Sequence, residues 1–112
     1  MAGYEPRDAV DQSTANQYTM RDDAFEWDDR KAAANVRKHG VTFELARLAF
    51  DDRKSVEELD DDETDEERWL WTGRAGRQLI IVCFAHRGPR KRIISARRAN
   101  KNESEDYFSQ NR

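Results

Sequence analysis

The stretch "RIISARRAN", from Arg92 to Asn100, combines an apolar centre with arginines, and so it could hold several cations on a rigid strand. Ile93 and Ile94 favour burial, whereas Arg97 and Arg98 are costly to bury without a partner. Planar guanidinium groups bind phosphate oxygens through paired hydrogen bonds. The stretch, with Arg92 at its start, therefore predicts a phosphate-binding site near the end of a strand.

Two further arginines, Arg74 and Arg77, lie close to glycines that indicate a turn. Because the last strand runs back toward that turn, we expect Arg97 and Arg98 to approach them. The competing interpretation is that the arginines form ion pairs with the acidic run Glu57–Glu67, and composition does not decide between the two.

Strand alternation predicts which arginines share a face, since successive side chains point to opposite sides of a sheet. By this rule Arg92 and Arg98 lie on one face and Arg97 on the other. A bulge in the strand would change the assignment.

A histidine could transfer protons near neutral pH, and the chain has two. His39 is predicted at a helix end, where a histidine more often caps or packs, and His86 lies at the end of an apolar strand. Together with the single Cys83 they do not have the spacing of a zinc site. The sequence contains no phosphate-binding loop, dinucleotide fingerprint or nucleophile elbow, so we expect neither a metal nor a cofactor.

Charge is unevenly distributed along a chain whose net charge is −3. Residues 51–68 hold three basic and eleven acidic residues, a net charge of −8, and residues 69–112 hold ten and three, a net charge of +7. This polarity suggests nucleic acid or an acidic protein surface as a partner. Since no 18-residue apolar stretch and no signal-peptide core occurs, we expect a cytoplasmic protein without a membrane span.

The 112 residues are enough for one domain. Residues 1–24 lack hydrophobic periodicity and are expected to form a disordered or weakly ordered leader. Residues 25–112 are expected to form the single domain.

The first half of that domain predicts a short strand and two helices. "FEW" alternates like a short edge strand, and Asp28 or Asp29 can cap the helix "RKAAANVRKH". Gly40 follows at the position of a left-handed C-terminal residue. Thr42 then caps a second helix, "FELARLAF".

The second half predicts three strands and a helix. "RWLWTGRAGRQLIIVCFAHRGPRKRIISARRA" reads as three strands, with a first turn bracketed by Gly73 and Gly76 and a second at Gly88-Pro89. "NKNESEDYFSQ" is expected to form a short C-terminal helix.

Three blocks of this sequence resemble the BrnT-type toxins of bacterial type II toxin–antitoxin pairs. They are "FEWDDRKAAANVRKHGVTFELARLAFDD", "DEERWLWTGRAGRQLIIVCFAHRG" and "RKRIISARRANKNESEDY". The resemblance runs from Phe25 to Tyr107, with the K-x3-N-x2-KHG-V-x-F segment, the ER-W…G-R hairpin and the R-IISAR-R-A strand in order.

The resemblance implies an α+β, RelE-like fold, in which an antiparallel sheet of three to four strands carries an N-terminal helix pair and a short C-terminal helix. It implies a ribonuclease that arrests translation. It also implies a BrnA-type antitoxin with a ribbon–helix–helix part, whose complex with the toxin represses the operon by binding operator DNA. RNA is then the expected substrate.

Carried over by position, the resemblance makes Lys38 and His39 candidates for proton transfer. It makes four arginines candidates for catalysis: Arg74, Arg92, Arg97 and Arg98. With Arg77, these arginines form the expected set of RNA phosphate ligands. A different class of function, a non-catalytic subunit that binds its antitoxin and co-represses the operon, would use the same basic surface.

Overall fold

The structure is a computed structural model that describes residues 18–20, 23–60 and 67–110. These residues form six strands, three α-helices and a 3₁₀ turn at Ala49–Asp51. In chain order the strands and helices are β1 (Tyr18–Met20), β2 (Phe25–Asp28), α1 (Asp29–His39), α2 (Phe43–Leu48), β3 (Val56–Leu59), β4 (Trp69–Ala75), β5 (Gln78–Arg87), β6 (Arg90–Arg98) and α3 (Lys101–Gln110).

Local capping chemistry determines where α1 and α2 begin and end. The Asp28 side chain accepts a hydrogen bond from the Arg30 amide, and Gly40 closes α1 with a left-handed φ of 69°. The Thr42 side chain accepts from the Leu45 amide at the start of α2. These predicted caps are confirmed, although α2 ends at Leu48 and the 3₁₀ turn replaces its expected last residues.

The sheet is larger than predicted and is not purely antiparallel. Its six strands lie in the order β1-β2-β6-β5-β4-β3. β2 pairs in parallel with β6, and the other neighbouring strands pair antiparallel. The expected three to four antiparallel strands are therefore wrong, and the RelE-like description that went with them does not fit this topology. Strand β2, which the sequence placed at an edge of the sheet, lies between β1 and β6.

One short segment of the predicted leader joins the sheet. Tyr18–Met20, assigned to the leader, pairs with β2 as strand β1. The Ala24 carbonyl accepts a hydrogen bond of 2.8 Å from the Lys91 amide of β6. Residues 1–17 and 21–22 lie outside the described residues, so the rest of the predicted leader is not tested.

The three predicted strands of the second half are confirmed as β4, β5 and β6. Their first turn is shorter than expected, because Gly73 lies within β4 and only Gly76 and Arg77 form the bend. A side chain at Gly73 would place its Cβ 2.4 Å from the Ala49 carbonyl oxygen. Glycine is thus needed there for close packing of the 3₁₀ turn on the sheet.

The core lies between the sheet and the helix pair. Val82, Ile93 and Ala96 of the central strands pack with Phe43 and Ala46 of α2. We call this side of the sheet the helix-pair face and the opposite side, where Tyr107 of α3 is buried, the α3 face. No helix among the described residues is long and apolar enough to cross a membrane.

Candidate active site

A bulge in β6 decides which face each arginine occupies. Cys83 pairs with Ser95, but its neighbour Phe84 pairs with Ile93, so β6 holds one extra residue here. The extra residue lets both Ile93 and Ala96 point into the core, three positions apart. Strand alternation is therefore reversed on one side of the bulge.

The reversal corrects the predicted parity. Arg92 pairs with Glu26, whose neighbours Phe25 and Trp27 are buried in the core, so Arg92 lies on the α3 face. Arg98 pairs with the core residue Ile80 and lies on the helix-pair face. The expectation that Arg92 and Arg98 share a face is wrong, because simple alternation does not survive the inserted residue.

Arg98 joins three parts of the chain at one end of the sheet. Its Nε donates to the Gln78 side-chain oxygen at 2.9 Å, and its Nη1 donates to the His39 backbone carbonyl at 3.1 Å. Both acceptors are neutral, so within the described residues the guanidinium charge is not matched by a carboxylate. An exposed, positioned and uncompensated guanidinium is suited to binding a phosphate.

Lys38 and Arg77 are the chain neighbours of His39 and Gln78, the two residues that Arg98 binds. Lys38 and His39 end α1, and the carbonyl of His39 is the one that Arg98 binds. Arg77 is exposed in the turn next to Gln78. The structure therefore brings together most of the predicted basic residues at the end of the sheet where β4, β6 and α1 finish.

Arg74 belongs to the same end but to the other face. It lies in β4, not in the turn, and its amide donates to Asp52 at 2.7 Å. Asp52 also accepts a 2.5 Å hydrogen bond from the Tyr107 hydroxyl. Burial raises the pKa of the Asp52 carboxyl, but hydrogen bonds from Tyr107 and from the Arg74 and Lys54 amides outweigh it and hold this pKa below its ordinary value.

The Arg97 side chain forms an ion pair with Glu103 of α3. Its Nη1 and Nη2 each donate to one oxygen of the Glu103 carboxylate at 2.7 Å, a paired geometry. The hydrogen bonds from Arg97 lower the pKa of Glu103 despite its partial burial. Glu103 also accepts from the Asn100 amide while the Asn100 side chain accepts from the Glu103 amide, a reciprocal cap at the start of α3.

The Arg92 side chain forms an ion pair with Glu26 of β2. Its Nε donates to Glu26 at 2.7 Å, and the two side chains are 17% and 13% exposed. Along β6, Arg92 lies six residues before Arg98, a separation of about 20 Å in an extended strand. One phosphate cannot contact both residues, so the structure does not unite the predicted arginines at a single point.

The described ends of the acidic run lie away from Arg98. The Asp60 amide donates to the Arg68 carbonyl at 2.9 Å, just before β4 begins at Trp69. Trp69 pairs with Phe84, whereas Arg98 pairs with Ile80, four residues and about 13 Å further along β5.

Arg92 and Arg97 pair with carboxylates outside the run, Glu26 and Glu103. Ion pairing of these two arginines is thus observed with partners that the sequence did not indicate. The predicted pairing with the acidic run stays a prediction, since residues 61–66 of the run lie outside the described residues.

Sequence reasoning missed the residue that holds this site together, Asn35. Its side-chain nitrogen donates to the Val41 and Ala96 carbonyls at 2.9 and 2.7 Å, and its oxygen accepts from the Ala96 amide at 3.0 Å. Asn35 is 5% exposed. The available signal was an asparagine inside the alanine-rich helix α1, since a buried amide needs hydrogen-bond partners.

A second missed pair lies at the opposite end of β5. His86 Nε2 is 3.6 Å from a Glu57 carboxylate oxygen, and the His86 ring is in edge contact with Trp69 and Phe84. Gln78 and His86 are eight residues apart in β5, about 26 Å. His86 therefore does not belong to the Arg98 site.

A known protein family matches the part of the chain that holds the residues described above. Residues 27–103, more than half of the chain, match the BrnT family, described as the ribonuclease toxin of a type II toxin–antitoxin system. A search of curated proteins gave no match. The matched range holds Asn35, His39 and Arg98, the residues that build this end of the sheet. The chain therefore belongs to the BrnT family of ribonuclease toxins of type II toxin–antitoxin systems.

Proposed function

We propose that this toxin cleaves RNA without a metal ion, by attack of a ribose 2′-hydroxyl on the adjacent phosphodiester, and thereby arrests translation. In this reaction the 2′-oxygen forms a bond to phosphorus and the bond to the 5′-oxygen breaks. The 2′-hydroxyl loses a proton to a base, and the 5′-oxygen gains one from an acid. The products are a 2′,3′-cyclic phosphate and a 5′-hydroxyl.

The observation that carries the proposal is the Arg98 guanidinium, which is held in place by neutral acceptors and is not matched by a carboxylate among the described residues. Charge on the phosphorane oxygens rises as the 2′-oxygen attacks. A preorganised cation stabilises that charge without reorganisation. Arg77 and Arg74, at the same end of the sheet, would bind the neighbouring phosphates.

Proton transfer at this site falls to Lys38 or His39, because both end α1 beside the Arg98 contact. An imidazole can act as base or acid near neutral pH. A lysine ammonium would instead donate to the leaving oxygen.

Arg92 and Arg97 have a structural role in this proposal, although the sequence offered them as phosphate ligands. Each is held by a carboxylate at 2.7 Å, and a bound phosphate would have to displace Glu26 or Glu103. Loss of Glu103 would leave Arg97 without this carboxylate, and loss of Glu26 would remove the 2.7 Å bond to Arg92.

A BrnA-type ribbon–helix–helix antitoxin is the proposed partner, and operator DNA would be bound only through its complex with this toxin. The antitoxin must prevent RNA from reaching the Arg98 site in that complex. RNA is the proposed substrate, and no cofactor takes part.

The test is cleavage of single-stranded RNA by the purified chain in the presence of EDTA, with native protein and Arg98→Ala compared. Loss of one preorganised donor should lower the rate about 10²–10³-fold. A substrate with a 2′-deoxy sugar at the cleaved position should not react. Cleavage of that substrate, or cleavage abolished by EDTA and restored by a divalent ion, would overturn the mechanism.

Two controls separate chemistry from charge and from folding. Lys101→Ala removes an equal charge from exposed α3 and should leave the rate unchanged. Melting temperatures matter because Arg98 also binds the His39 carbonyl at the end of α1. An Arg98→Ala protein that is folded, stable and fully active would exclude Arg98 from the reaction.

A further inference from the structure

Strand β3 lies at an edge of the sheet and exposes backbone groups on its outer side. It is last in the strand order and pairs only with β4 among the described residues. The Asp60 amide points inward, since it donates to the Arg68 carbonyl of the β4 side at 2.9 Å. Inward and outward groups alternate in an antiparallel pair, so the backbone groups of Glu57 and Leu59 point outward.

A groove with an apolar floor lies beside this edge on the α3 face. Its volume is about 240 Å³, and its floor includes Val56, Leu70 and Ile81. The carboxylates of Glu58 and Asp106 line it from β3 and α3, and both residues are exposed. Neither carboxylate has a cationic partner among the described residues. Arg97, on the same face, pairs with Glu103 instead.

We propose that an extended segment of the antitoxin adds to β3 as a seventh strand. Outward amides and carbonyls of an edge strand bind such a segment through main-chain hydrogen bonds, and the neighbouring pockets select its side chains. The proposal rests on the proposed function only in taking the antitoxin as the partner.

Charge and exposure determine the kind of segment that fits. On the α3 face, a residue opposite Glu58 would be lysine or arginine, because opposite charges across strands attract. An apolar neighbour on the same face would fill the groove over Val56 and Leu70. On the helix-pair face, Leu59, which is 47% exposed, would contact another apolar side chain. The segment is thus expected to carry both basic and apolar side chains. The proposed RNA contacts lie elsewhere, at the end of the sheet that holds Arg98.

The decisive variant is Glu57→Pro, compared with Glu57→Ala. Proline removes the outward N–H of residue 57 and no inward hydrogen bond, which an edge strand tolerates. Both variants lose the side-chain contact with His86, so the comparison isolates the proline backbone, which lacks the N–H and has a fixed φ. The probe is the proposed antitoxin, the small protein encoded by the gene adjacent to the toxin gene. It is titrated against each purified variant.

We expect Glu57→Pro to bind that protein about tenfold more weakly than Glu57→Ala, the effect of one lost hydrogen bond. Glu58→Lys should also weaken binding, whereas the charge-matched change Glu44→Lys on α2 should not. Equal affinities of Glu57→Pro and Glu57→Ala, with both proteins folded, would overturn the proposal.

Hydrogen exchange gives a second, direct measurement. The amides of Glu57 and Leu59 should exchange rapidly in the toxin alone and become protected in the complex. Unchanged exchange of these amides in the complex would exclude the antitoxin strand. Protection already present in the toxin alone, through its own residues or a second copy, would exclude it as well. Cleavage of RNA by Glu57→Pro without antitoxin should equal native cleavage, so a failed docking site and a failed ribonuclease mechanism give different results.

Discussion

Arg97 and Arg98 are neighbours in sequence, yet their substitution should affect different properties of the protein. Arg97→Ala removes two charge-assisted hydrogen bonds of 2.7 Å to Glu103. Those bonds join β6 to the first turn of α3, and the same carboxylate caps the helix through the Asn100 amide. The loss should therefore loosen α3 and lower stability. Arg97 also contacts the Arg98 backbone carbonyl at 3.4 Å, but the Arg98 guanidinium keeps its own bonds to Gln78 and to the His39 carbonyl, so cleavage should be retained.

The size of the loss follows from geometry and exposure. Hydrogen bonds to charged groups contribute about 1.5–3 kcal/mol when well shielded. Here the Arg97 and Glu103 side chains are 40% and 28% exposed, so solvent screening reduces the contribution of the pair. We expect a loss of about 1–2 kcal/mol, or a decrease in Tm of roughly 5–10 °C for a domain of this size.

The pH dependence provides an independent check. Hydrogen bonding to Arg97 lowers the pKa of Glu103 in the folded protein. A group with a lowered folded pKa contributes stability above its ordinary pKa, 4.5 for this glutamate. That contribution is lost as the pH falls through the folded value. In Arg97→Ala the decrease in stability below pH 4.5 should be smaller than in the native protein.

The assay is a double-mutant cycle of Arg97→Ala and Glu103→Gln, measured by thermal unfolding at neutral pH and at about pH 3. RNA cleavage is measured per folded molecule on the same samples. A coupling of about 1 kcal/mol with native cleavage supports the structural role. An unchanged Tm together with a 100-fold loss of cleavage would refute it and make Arg97 a phosphate ligand.

Two further predictions concern the groups that fix the fold around the site. Asn35→Ala should lower the free energy of unfolding by about 2–4 kcal/mol, since it leaves three buried backbone groups without partners. Chemical denaturation measures this free energy. A loss below about 1 kcal/mol would contradict the assigned hydrogen bonds. Tyr107→Phe should flatten the pH dependence of stability at both extremes. The native Asp52 contribution is lost as the pH falls through its lowered pKa. Burial and Asp52 raise the pKa of Tyr107 to about 12, so its contribution is lost as the pH rises through that value. Identical pH–stability curves for native protein and Tyr107→Phe would exclude this network.

Much of the local structure could be predicted from the sequence, because short-range chemistry decides it. The Asp28 and Thr42 caps, the left-handed Gly40 and the Gly88-Pro89 turn need only neighbouring backbone groups. The family could be identified in the same way, since its motifs are linear segments in fixed order.

The candidate site was predicted only in part. The strand order of a simple meander indicated that Arg97 and Arg98 would approach Arg74 and Arg77, and the resemblance to BrnT toxins added Lys38 and His39 as candidates. The sequence could not indicate that Asn35 joins α1 to β6, because its partners in β6 are 61 residues away. It also gave no sign that Glu26, 66 residues from Arg92, would hold that arginine.

The sequence by itself determined the three helices, the strands β2, β4, β5 and β6, most of their ends, and the family to which the chain belongs. Only the tertiary structure decided the parallel pairing of β2 with β6 and the bulge between the Cys83 and Phe84 pairs. Both depend on how the two faces of the sheet fill with side chains from distant segments, and strand alternation contains no information about that packing. Because the inserted residue reverses the direction of Arg92 relative to Arg98, the roles of the arginines were decided by the packed core and not by their spacing.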